Sequence, residues 1–140
     1  MFYSRFSRPL IGLTLVGALL GSTAALATEP KVYFIEPADG ATVTSPFTVK
    51  FGLNGMGVAP AGTQHSNTGH HHLLIDLQEA PDLNQPIAAD EHHRHFGGGQ
   101  TETTLELAPG QHTLQLLLGD AMHRPHNPPV LSDKITIHVE

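Results

Sequence analysis

An all-β fold, an antiparallel immunoglobulin-like β-sandwich of about seven strands, is predicted by three features of this 140-residue chain. Apolar and polar residues alternate over several short stretches, the period of a strand with one face in a core. Turn residues separate those stretches, with 14 glycines and 11 prolines in the chain. Beyond the first 27 residues, no segment carries the three-to-four spacing of an amphipathic helix.

Taken in order, Val32 to Glu36 is a β-rich run stopped by Pro37, and Asp39-Gly40 is a turn signal. Phe47, Val49, Phe51 and Leu53 alternate with Thr48, Lys50 and Gly52. The next strand puts His71, Leu73, Ile75 and Leu77 on one side and His70, His72, Leu74 and Asp76 on the other. Thr103, Leu105 and Leu107 form another alternating run. Pro109-Gly110 turns the chain into a strand carrying Leu114, Leu116 and Leu118, and Ile135, Ile137 and Val139 close the pattern. Three connections are too long for tight turns: Asn54 to Gly69, Glu79 to Asp90, and the proline-rich Asp120 to Pro129. Loops of that length in a small domain are commonly functional or mobile.

The first 27 residues are expected to be a secretory leader rather than part of the fold. Arg5 and Arg8 supply a positive start, Leu10 to Leu20 an apolar stretch too short to span a bilayer, and Ala25-Leu26-Ala27 a small-x-small cleavage pattern. The expected mature chain is a single domain, 28–140, periplasmic or secreted and free of a membrane anchor once cleaved. The absence of cysteine excludes disulfides, thiolate metal sites and a cysteine nucleophile. A net charge of −6 opposes nucleic-acid binding, which depends on neutralising phosphates.

Eleven histidines dominate what is left. Most fall in three groups near expected strand ends: 65 to 72, 92 to 95, and 123 to 126. His70 and His72 form an H-x-H pair on one strand face, about 7 Å apart along the backbone. His93 and His95 repeat the spacing, and His123 and His126 lie on the proline-rich loop. Imidazole titrates near neutrality and is the commonest metal-binding side chain. The candidate ligands are therefore His70, His72, His93, His95, His123 and His126, with Asp76 and Asp120 as oxygen ligands or as acceptors orienting the rings. His71 reads equally as a core-edge residue or a ligand; His112 and His138 read as surface residues.

A nitrogen-rich, thiolate-free set suits copper, zinc or nickel rather than calcium or magnesium, and a blue-copper centre is excluded without cysteine. Met56 and Met122 offer thioether sulfur to Cu(I); Met122 adjoins His123, whereas Met56 lies in a glycine-rich loop.

The blocks Tyr33-Phe34-Ile35-Glu36-Pro37-Ala38-Asp39-Gly40, Asn67-Thr68-Gly69-His70-His71-His72-Leu73-Leu74-Ile75-Asp76, His95-Phe96-Gly97-Gly98-Gly99-Gln100-Thr101-Glu102 and Leu118-Gly119-Asp120, followed by His123, His126 and Pro128-Pro129, resemble a bacterial exported family, domain-of-unknown-function family 4399. The resemblance runs over about residues 31 to 140. It implies one small exported β domain and supplies no activity.

Three functions stay open: a copper- or zinc-binding protein for storage, delivery or protection; a copper-dependent redox enzyme with superoxide dismutase-like chemistry; and an interaction or adhesion module without metal. Ligand-type residues are abundant and no activated nucleophile is identifiable, which favours binding over catalysis.

Overall fold

The structure, a computed structural model, describes residues 28–140; the expected leader lies outside the described residues. Nine strands follow one another without a helix among those residues: β1 (Lys31–Glu36), β2 (Thr42–Val43), β3 (Phe47–Asn54), β4 (Gly57–Val58), β5 (Thr68–Ile75), β6 (His93–His95), β7 (Glu102–Leu105), β8 (Gly110–Gly119) and β9 (Ile135–Val139). The all-β expectation holds. The two strands beyond the expected seven or so, β2 and β4, are only two residues long and leave no periodic trace in sequence.

One sheet has the order β1-β3-β7; the other has the order β2-β9-β8-β5-β4, with β6 also paired to β5. The β2–β9 and β4–β5 pairings are parallel, against the antiparallel expectation. Neither is a hairpin, since β9 lies at the far end of the chain and the long connection 59–67 separates β4 from β5. The larger sheet curls as a half-barrel, so the immunoglobulin-like refinement is not carried by this architecture. The irregularity centres on β5, whose outer edge is shared between β4 at Thr68 and Gly69 and β6 from His72 to Leu74.

The core lies between the sheets and follows the alternation. Val32, Val49 and Phe51 meet Leu73, Leu114, Leu116, Leu118 and Ile137, all essentially without solvent contact. Full burial of each such side chain contributes about 1.5–3 kcal/mol. Strand β5 departs from simple alternation because Leu74, like its outward-facing neighbour Leu117 on β8, is also buried, under the chain between β5 and β6. A strand covered on both faces reads as a continuous apolar run. That second, covered face is where His70 and His72 sit.

Candidate metal centre

Strand geometry does most of the assembly. His70 and His72 project from the same outer face of β5, two residues apart. On one side β8 places Gly119 opposite His70; on the other, β6 places His95 directly opposite His72. Facing cross-strand residues stand about 5 Å apart at Cβ, and the His72 and His95 ring centres lie 5.1 Å apart. His123 comes from the loop after β8. That loop is closed by the Gly119–Pro125 bridge and braced by Asp120, whose Oδ1 accepts Met122 N–H at 2.8 Å and Arg124 N–H at 2.9 Å. The turn holds His123 in the left-handed region, φ 60°, a conformation that non-glycine residues seldom adopt outside sites that need it. Its ring is 4.5 Å from His95 and 5.1 Å from His70, centre to centre.

The result is one group, His70, His72, His95 and His123, in which one ligand atom from each residue lies within 4.8 Å of all the others. Two nitrogens bound to one ion at about 2.1 Å lie at most about 4.2 Å apart, so the rings stand close to coordination distance and must draw inward to close a shell. His70 and His72 are fully buried, His123 half-buried and His95 exposed, which leaves one side open. There His72, His95 and His123 line a cavity of about 290 Å³ with Pro86, Ile87, Ala89 and Met122. Ile87 N–H donates to the His123 carbonyl at 2.7 Å, fastening the long β5–β6 connection over the site.

Ring chemistry fits an ion as well. His70 Nε2 and His123 Nδ1 share a hydrogen bond at 3.2 Å, whereas the buried Nδ1 atoms of His70 and His72 have no partner. Buried nitrogens of this kind are costly unless something engages them. Burial, followed by the repulsion of neighbouring imidazoles, lowers the pKa of His70 to about 4 and that of His72 to about 3. Burial and then His123 also lower His95. These imidazoles are therefore neutral near pH 7, the form in which they can coordinate a metal.

His93 and His126, expected as ligands, are not in the group. His93 pairs with Leu74, one step further along the sheet, and its Nδ1 bonds Asp90 Oδ1 at 2.8 Å. His126 lies beyond the Gly119–Pro125 closure and packs against Gly69, on another side of β5. Asp76 is not at the site either: it accepts hydrogen bonds from His112 Nδ1 and Thr113 N–H at the far end of β5. His112, expected on the surface, is thus paired and largely buried. Asp120 acts as the brace of the His123 loop. His71 faces inward onto Phe51, at 5.1 Å between ring centres, with neither ring nitrogen hydrogen-bonded. Three glycines seat histidine rings: Gly97 under His95, Gly119 under His72 and Gly69 under His126. The Gly69-His70 and Gly119-Asp120 steps, and Gly97 two residues after His95, were the available signal.

Fold and site thus define an all-β protein with a half-buried four-histidine group on the outer face of its larger sheet. The chain belongs to the family described as Domain of unknown function (DUF4399), whose family model matches residues 49–140. That span contains all four clustered histidines and begins inside β3. No curated protein and no solved structure matches the chain.

Proposed function

We propose that His70, His72, His95 and His123 hold one transition-metal ion, copper or zinc, and that the protein serves in metal storage, delivery or protection outside the cytoplasm. The observation that carries this reading is the convergence of four imidazoles from three separate stretches of chain, with their nearest ligand atoms within 4.8 Å. Neutral, partly unpartnered nitrogens support it, since a solvated histidine patch would have no reason to bury them. Ligand type favours copper over zinc on affinity grounds alone. The leader-like pattern of residues 1–27, positive start, apolar stretch and small-x-small end, is the support for export. Calorimetric titration of tag-free protein, with metal content by mass spectrometry, tests the centre. The expected result is about one Cu(II) or Zn(II) per chain, with His72→Ala/His95→Ala losing most of the affinity. No uptake by the wild-type protein at micromolar metal rejects the proposal.

The cavity over His72, His95 and His123 favours a second reading, copper redox chemistry of the superoxide-dismutating kind, because a small molecule could reach an ion from that side. Superoxide consumption by copper-loaded protein, compared with His95→Ala, separates the two readings.

A further inference from the structure

We propose that Met122 is a soft donor that, together with a subset of the four imidazoles, makes this centre a binding site for Cu(I), with the imidazoles alone sufficient for Cu(II) and Zn(II). The inference rests on the metal-binding reading above and deepens it to a choice of ion and oxidation state.

Met122 is 62% exposed, one of four large apolar side chains left open to solvent among the described residues. Its position is nonetheless fixed by the backbone. Met122 N–H donates to Asp120 Oδ1 at 2.8 Å, inside the same braced turn that aims His123. Met122 lines the cavity that His72, His95 and His123 open into, which puts its thioether within the same opening as three of the four rings. A thioether has little affinity for Zn(II), which prefers nitrogen, thiolate or carboxylate, and selects Cu(I) among the common biological ions. The remaining wall, Pro86, Ile87 and Ala89, is apolar. Such a wall disfavours a dication more than a monocation, since the cost of desolvating an ion rises steeply with charge. The flexible thioether also lies on the open side of the site, where an ion must enter and leave. The other described methionine, Met56, packs against the core and lines a different cavity, so it does not compete for this role.

The test compares tag-free wild-type protein, Met122→Leu and His72→Ala/His95→Ala. Leucine keeps the volume and apolarity of an exposed side chain, so folding is preserved. Cu(I) affinity is read anaerobically by competition with a chromogenic Cu(I) chelator, and Zn(II) and Cu(II) affinity by calorimetry. Met122→Leu is expected to lose about tenfold or more in Cu(I) affinity while Zn(II) and Cu(II) stay within about threefold of wild type. X-ray absorption of Cu(I)-loaded wild type is expected to contain a sulfur shell that disappears in the variant. Equal Cu(I) affinity in wild type and Met122→Leu, with Zn(II) uptake intact, overturns the role of Met122 and leaves the four-histidine centre standing. A wild-type protein that takes up none of the three ions overturns the centre itself.

Discussion

Gly119 is the seat of the His72 ring: a Cβ built on Gly119 would stand 2.6 Å from His72 Cε1 and 3.1 Å from its Nδ1. The same atom would press on Ile87 Cδ1 at 3.2 Å, so both the ring and the covering connection would have to move. Overpacking of this kind costs about 1–3 kcal/mol. Gly119→Ala is therefore expected to lower the urea midpoint of the metal-free protein and also its metal affinity, because the displaced ring is a proposed ligand. Unchanged values for both would show that His72 is free to relocate.

Burial of neutral histidine sets the response to acid. His70 and His71 fall to about 4 and His72 to about 3, all from an ordinary value near 6.5. The unfolded chain therefore binds protons more readily than the native one. The stability these neutral groups allow is full above pH 6.5 and is lost as pH falls toward their native values. For His71 alone the loss is roughly 3 kcal/mol, a large part of a small domain's margin. His71→Leu removes two unpartnered ring nitrogens from beside Phe51. It is expected to stabilise the metal-free protein by about 1–3 kcal/mol at neutral pH and to flatten the acid limb measured by circular dichroism. An acid limb as steep as wild type's would count against this account.

The opposite limb belongs to His112. Burial lowers its pKa, but the hydrogen bond to Asp76, the bond to the Ala108 carbonyl and the Asp76 charge outweigh burial, so the net shift is upward. Both partners are acceptors, which requires both ring nitrogens to donate and the ring to be protonated. A raised native pKa contributes stability that is complete below pH 6.5 and is lost as pH climbs through the native value. Asp76→Asn is expected to remove this alkaline decline while lowering stability at pH 6; a decline that persists in the variant places its origin elsewhere.

Asp120 positions His123 through its turn, and its charge also acts on His70, opposing the larger effect of burial there. Asp120→Ala removes the acceptor shared by Met122 N–H and Arg124 N–H, and with it the turn that holds φ of His123 at 60°. Loss of a comparable side-chain cap costs about 1 kcal/mol. A larger effect is expected on metal affinity, about tenfold. Asp120→Asn, which keeps an acceptor oxygen, should restore most of it. Failure of the asparagine variant to rescue binding would point to the Asp120 charge rather than the turn.

Alternation along β3, β5, β8 and β9 made the two core faces legible, because each odd-numbered residue from Val49 to Leu53 and Leu73 to Ile75 has to share a side with the next. The H-x-H pair of His70 and His72 was legible for the same reason. Choosing between His93 and His95 was not, since both share a face of β6 and only register decides which one meets His72. Register here is set by contacts of β5 with a distant stretch of chain, which local pattern does not encode. Likewise His123 and His126 look equivalent in sequence until the Gly119–Pro125 bridge closes the loop between them. Asp76 could be read as polar but not assigned to His112, 36 residues away.

That distinction gives the sharpest test of the site. His95 and His93 have the same side chain on the same short strand, and His123 and His126 lie on the same loop, yet only His95 and His123 belong to the four-ring group. Single alanine variants of His95 and His123 are expected to lower metal affinity by about tenfold or more. Single alanine variants of His93 and His126 should leave it within about threefold of wild type. His93→Ala also frees Asp90, whose carboxyl pKa is held down chiefly by the His93 hydrogen bond. His93 is half-buried beside Leu74, so circular dichroism of the variant checks that the fold survives the change. Calorimetry on the four variants side by side reads the pattern directly. If His93→Ala weakened binding as much as His95→Ala did, the β6 register would have to shift by two residues, and the centre would have to be rebuilt around a different set of rings.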